Sequence, residues 1–240
     1  MQHALPRIAP PSVAIAFAPS RNETLIMYRK IKLKRQVHDL RANEFGSLAD
    51  LRETAESPDQ NILMICCADH GLVVDDLSFT DQQHCVIVRN MAASIPGSCL
   101  VGSSATINGI QYAIRRRNVQ DIIVCHHFNC LLAAHWMKPS LNPVMVGPAR
   151  EFIQKAKHVV DEHYHYTNQR ERLGLMVCEH TLFQLENLCS HDFVRNRLES
   201  GQLRLHGWVV DDDTARVLSF DPIEHAFTGL EQLANQDRIS

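Results

Sequence analysis

Asn61–Cys67 (NILMICC), Cys85–Arg89 (CVIVR) and Asp121–Cys125 (DIIVC) are unbroken apolar runs bounded by polar residues, and Leu173–Cys178 (LGLMVC) reads as a fourth. A strand with one face in water alternates apolar and polar positions. A short run apolar at every position fits a strand buried on both faces. Helical periodicity separates the runs: about Ser103–Arg117 before the third, Cys130–Met137 after it, and Ala149–Tyr166 before the fourth. Buried strands alternating with helices predict βαβ units and a parallel sheet with right-handed crossovers. Leu203–Val210 and Val217–Phe220 alternate more and flank the turn-like DDDTAR, so they predict a late β-hairpin. The expected fold class is α/β: a mostly parallel sheet flanked by helices, with an antiparallel closing strand.

Residues 1–25 read as a flexible leader and 26–56 as a helical arm, with charged residues set around Ile31, Leu33, Val37, Leu40, Phe45 and Leu51. Residues 57–240 then form one domain, since no linker composition or internal repeat divides them. The basic run KIKLKR within the arm reads as a solvated helix face or as a docking helix for a partner subunit. No apolar run approaches the roughly 20 residues of a membrane span. Lys and Arg number 24 against 27 Asp and Glu, a formal charge of −3, which argues against a general nucleic-acid binder. The 8 cysteines sit mostly inside apolar runs of a long chain, which points to reduced thiols and a cytoplasmic setting.

In open parallel sheets ligands collect at the carboxyl ends of the strands. The first strand here ends in CCADHG, the second in RNMAAS and the third in CHHFNC. Thiolate and imidazole are the donors that zinc prefers. Cys66, Cys67 and Asp69 at one tip, and Cys125, His126, His127 and Cys130 at another, are all candidates. Other polar clusters have plainer readings. Arg115–Arg117 closes a helix where cations meet its dipole. His163 and His165 sit on an exposed face, and Asp211–Asp213 makes the hairpin turn. No G-x-S-x-G, P-loop or G-x-G-x-x-G occurs.

Cys67-Ala68-Asp69 and His127-Phe128-Asn129-Cys130 resemble the C-x-D-x-R and H-x-x-C motifs of the β-class carbonic anhydrases. VIVRNMAAS around Arg89 and Asn90 looks like that family's R-N-A-G-N loop. ATINGIQYAIRRRNVQDIIV looks like its following helix and strand, and QLENL and LRLHGWVVDDDTARVLSFD like its late helix and closing hairpin. The similarity runs from about Asn61 to Asp221. It selects Cys67 over Cys66 and His127 over His126, leaving Cys66 and Cys125 to core packing. It implies a Zn²⁺ site of Cys67, His127 and Cys130, with Asp69 as a contested fourth ligand, a homodimer or higher homo-oligomer, and CO₂ and bicarbonate as substrates. The implied reaction is the reversible hydration of CO₂ to bicarbonate and a proton by a zinc-activated hydroxide.

One departure bears on that reaction. The family's Arg two residues after the Asp holds the carboxylate off the metal; here that position is Gly71. Without the guanidinium, Asp69 is free to become a zinc ligand, and four protein ligands characterise structural zinc. His70 could pair with Asp69 instead and share a catalytic role, or Arg89 could reach in. His126 and Leu131, standing where the family has small residues, are expected to narrow the mouth. Two functions follow. One is a carbonic anhydrase, weak or conditional. The other is a catalytically silent relative with a structural Cys₂-His-Asp zinc, acting as scaffold, subunit or bicarbonate sensor. A thiol or redox enzyme using Cys66 and Cys67 is a third and weaker reading.

Overall fold

The computed structural model describes residues 30–69, 85–100, 104–137, 148–214 and 216–230. His70, Gly71 and the leader at 1–25 lie outside them. The elements in order are β1 (Lys30–Lys32), α1 (Leu48–Glu56), β2 (Asn61–Cys67), β3 (Cys85–Asn90), α2 (Ala105–Arg116), β4 (Val119–His127), α3 (Leu131–Met137), α4 (Pro148–His163), α5 (Gln169–Cys189), α6 (Asp192–Glu199), β5 (Arg204–Asp211), β6 (Arg216–Asp221) and β7 (Ala226–Gly229). The strands form one sheet in the order β1-β7-β6-β5-β4-β2-β3. β3, β2, β4 and β5 run parallel, while β6, β7 and β1 add antiparallel pairs. The fold is α/β as expected, with an antiparallel part of three strands where one closing strand was expected. Among the described residues no helix is long and apolar enough to cross a membrane.

β2 shows why its sequence lacks alternation. Leu63, Ile65 and Cys67 enter the larger core cluster, which includes residues of α2, α4 and α5. Ile62, Met64 and Cys66 enter a smaller one on the opposite face, with Ile123, Cys125, Trp208 and Leu51 of α1. Cys66 and Cys125 are thus core thiols, and burial raises both above their ordinary value. α1 starts at a capping box in which the Ser47 hydroxyl accepts from Asp50 N at 3.1 Å and Asp50 Oδ2 accepts from Ser47 N at 2.7 Å. In β5, a Cβ on Gly207 would lie 3.1 Å from Leu185 Cδ1, so the glycine lets α5 pack closely on the sheet.

Two expectations need correction. LGLMVC is not a strand but the middle of α5. This helix is buried on every side from Gly174 to Leu185, so its run carries no helical stripe, and periodicity cannot separate a buried helix from a buried strand. Nor is 26–56 one helical arm. Lys-Ile-Lys alternates with the period of two that a strand needs. It forms edge strand β1, whose exposed lysines discourage further pairing. Short 3₁₀ turns follow at Arg35–Val37 and Ala42–Glu44, and among the described residues of the arm only Leu48–Glu56 is α-helical.

The arm is fastened to α5 by charge. His38 Nε2 lies 2.6 Å from Glu179 Oε2 and its Nδ1 lies 3.3 Å from Glu186 Oε2, with the His38 and Glu179 side chains wholly inaccessible. The Tyr164 hydroxyl donates to Glu179 and accepts from Lys34 N at 2.7 Å. Burial pulls the His38 imidazolium down, but the hydrogen bonds to Glu179 and Glu186 outweigh it and the net shift is upward. A folded-state pKa raised above the unfolded value of about 6.5 gives stability that is complete below that pH and is lost as pH rises through the folded value. Charged hydrogen bonds of this kind are worth about 2 kcal/mol. The difference in urea-unfolding free energy between wild type and His38→Gln is therefore expected to be largest near pH 6 and to shrink toward pH 9.

Candidate metal centre

The chain leaves β2 for β3 on one side and returns through α2 to β4 on the other. Such a reversal opens a crevice at the carboxyl ends of the strands. Cys67 is the last residue of β2 and His127 the last of β4, and Cys130 opens α3 by accepting from Ala134 N at 2.9 Å. The ligand atoms of these three buried residues all lie within 4.8 Å of one another. A tetrahedral zinc with sulfur at about 2.3 Å and nitrogen at about 2.0 Å needs ligand atoms roughly 3.5–3.8 Å apart, so a small closure would seat it. Two thiols and an imidazole are a donor set that suits zinc.

The electrostatics favour a metal-ready thiolate. A hydrogen bond from Cys130 and, after the opposing effect of burial, one from His127 bring the Cys67 thiol down to about 4. The same bond to Cys67, together with burial, raises Cys130. Burial alone would lower His127, but Asp212 and Cys67 outweigh it and lift it to about 9.

Asp69 stands outside the three-residue set. Its Oδ2 accepts the backbone N–H of Leu131 at 2.8 Å, and its own N–H points to Cys67 Sγ at 3.4 Å. Arg89 donates from Nη1 to the Cys67 carbonyl at 3.4 Å, so it braces the strand tip. The backbone at this tip is tied across by Ala68 N donating to Asn90 O at 2.7 Å.

The turn after β3 is strained. Ala92 and Ala93 both have left-handed backbone, with φ of 56° and 43°, a region costly for residues bearing a Cβ. Two buried imidazoles hold it: His126 Nε2 lies 2.8 Å and His180 Nε2 3.0 Å from the Ala92 carbonyl oxygen. A carbonyl only accepts, so both Nε2 atoms carry hydrogen. Burial first, then the neighbouring His180, keeps His126 neutral. His126 therefore turns into the interior, and Leu131 is 60% exposed, a different arrangement from the narrowed mouth expected of the two.

Sequence reasoning missed two contacts. One is the Leu131 amide, since a backbone donor leaves no residue signature. The other is Asp212, whose Oδ1 lies 3.2 Å from His127 Nδ1. The signal was present in the triple acidic run but was absorbed by the turn.

The family model described as carbonic anhydrase matches residues 62–217, more than half of the chain. A carbonic anhydrase of Helicobacter pylori strain J99 is 27% identical over 204 residues, covering 82% of this chain and 91% of that protein. Carbonic anhydrase 1 of Escherichia coli O157:H7 is 29% identical over 204 residues, covering 83% and 89%. Among solved structures, the β-carbonic anhydrase CcaA superposes with a TM-score of 0.61 at 23% identity, covering 76% of this chain and 90% of that one. A structure from a study of two tetrameric β-carbonic anhydrases of Sordaria macrospora gives 0.56 at 20% identity, covering 70% and 84%. With Cys67, His127 and Cys130 in one cluster and the family match covering β2 to β5, which include the strands that carry the first two, the chain belongs to the β-carbonic anhydrase family.

Proposed function

We propose that this chain is a zinc-dependent carbonic anhydrase that interconverts CO₂ and bicarbonate, working as a homo-oligomer in the cytoplasm. One observation carries the reading: the Asp69 carboxylate is tethered to the Leu131 amide and lies outside the Cys67, His127 and Cys130 set. Three protein ligands leave a fourth position for water, the arrangement of catalytic zinc sites. Zinc held there would supply a water acidic enough to act as a nucleophile near neutral pH.

Zinc binding would displace protons from these groups, so that Cys67 and Cys130 would contribute thiolate and His127 a neutral imidazole. Asp69, fixed by the Leu131 amide, would orient a water held beside the cluster and accept its hydrogen bond. His70, next in sequence, is the side chain proposed to share that work. The exposed apolar side chains of Ile87 and Met91 support an oligomer that covers them. The tetrameric relatives from Sordaria macrospora agree with that, and the free thiols agree with a reducing compartment.

The second reading, a silent protein with Asp69 as a fourth zinc ligand, has Gly71 in its favour. The test is stopped-flow CO₂ hydration on purified protein of measured zinc content. Hydration faster than a zinc-free control is expected. A flat trace at full zinc occupancy would establish the silent reading.

A further inference from the structure

We propose that Asp212 is a positioning residue for the metal centre, fixing His127 so that Nε2 faces the metal. The inference rests on the reading that Cys67, His127 and Cys130 hold zinc.

The acidic triplet in the β5–β6 turn divides its work. Asp211 makes the turn itself, accepting from Asp213 N at 3.1 Å and from the Thr214 hydroxyl at 2.8 Å. Asp213 accepts from Arg170 Nη2 at 2.7 Å and from Asn129 Nδ2 at 3.2 Å. Asp212 takes neither task. Its Oδ2 accepts the backbone N–H of Asn129 at 2.8 Å, within the loop between His127 and Cys130. Its Oδ1 stands 3.2 Å from His127 Nδ1, with the two side chains only 11% and 5% accessible. Phe128 N donating to Val210 O at 3.0 Å completes the grip of the turn on that loop.

The chemistry gives this placement a purpose. An imidazole can bind metal through either nitrogen, and the partner of the other nitrogen decides which. A carboxylate beside Nδ1 favours a proton there, leaves the lone pair on Nε2, and makes that nitrogen more basic. Asp211 supplies bonds that close the turn, whereas the Asp212 carboxylate reaches the segment that carries His127.

The experiment is competition for zinc against a chromogenic chelator, on the full chain and on Asp212→Asn and Asp213→Asn. Removing an outer partner of a ligating histidine costs about 10–100-fold in metal affinity. Asp212→Asn is expected to fall in that range, with Asp213→Asn indistinguishable from wild type and the metal-free melting temperatures alike. Wild-type affinity in Asp212→Asn overturns the proposal. So does an equal loss in Asp213→Asn, which would assign the effect to the turn as a whole. Should Asp212→Asn fail to fold, long-range ¹H–¹⁵N spectra of the zinc-loaded wild type decide. His127 ligated through Nε2 with a proton on Nδ1 is expected, and ligation through Nδ1 overturns the inference. A wild type that takes up no zinc would refute the metal reading itself, a separate outcome.

Discussion

Replacing Asp121 with alanine is expected to lower the unfolding free energy by about 3 kcal/mol, the lower end of the cost of removing one partner from a buried ion pair. Asp121 lies on β4, fully buried, at the end of the strand away from His127. Arg204 grips it with Nε at 3.0 Å and Nη2 at 2.9 Å. His206 Nε2 lies 2.8 Å from its Oδ1, and the Thr54 hydroxyl of α1 donates to its Oδ2. The single carboxylate thus joins α1, β4 and β5. Its loss takes the acceptor from a buried imidazole and from the Thr54 hydroxyl, which keeps only its bond from Arg204 Nη2 at 2.8 Å. Arg204, whose side chain keeps 30% of its surface in water, softens the cost.

The same group carries a pH signature. Burial pushes the Asp121 carboxyl up, but the bonds from His206 and Arg204 outweigh it and hold it well below the ordinary carboxylate range. A depressed folded-state pKa gives stability that is present above the unfolded value of about 3.9 and is lost as pH falls below it. Urea titrations should show the gap between wild type and Asp121→Ala at full size at pH 7 and narrowing below pH 4. A gap under 1 kcal/mol at pH 7 would mean that packing, not this network, holds α1 to the sheet.

Leu131→Pro is expected to reduce kcat/KM for CO₂ hydration about 30-fold at unchanged zinc content. Proline lacks the N–H that Asp69 accepts, yet its fixed φ suits the first position of a helix, which Leu131 occupies in α3. A hydrogen bond to a charged group is worth about 2 kcal/mol, and each 1.4 kcal/mol is tenfold in rate. Leu131 is 60% exposed, so little packing is lost. Leu131→Ala, which keeps the amide, should match wild type. If both variants turn over normally, some other group tethers Asp69.

Much of this was legible in the residues. β2 and β4 were readable because strands buried on both faces need apolar residues at every position; β3 carries the same apolar run although it is an edge strand and only half-buried, with Ile87 42% exposed. The β5–β6 hairpin was readable because its flanks alternate about a polar turn. Cys67, His127 and Cys130 were readable because family motifs fix their spacing, and the structure draws them together. The same apolar-run rule misassigned LGLMVC, since a helix enclosed on all sides meets the same demand. The arm misled differently, because its lysines hid a period of two. The groups around Asp69 and His127 escaped because each comes from a segment distant in sequence, one of them a bare amide.

α5 carries four buried polar residues, each aimed at a different part of the chain: Glu179 at the arm, His180 at the Ala92 turn, Thr181 at His126, and Gln184 at Ile95 N. A solvent-facing helix can rotate or slide by a residue and rehydrate what it uncovers. This one cannot, since a one-residue slip would misplace all four partners in a buried interior. The helix works as a ruler. It sets the arm, the strained turn and the β4 tip against one another, so an insertion or deletion within Glu179–Gln184 would be felt at the cluster of Cys67, His127 and Cys130, of which none of those residues is a member.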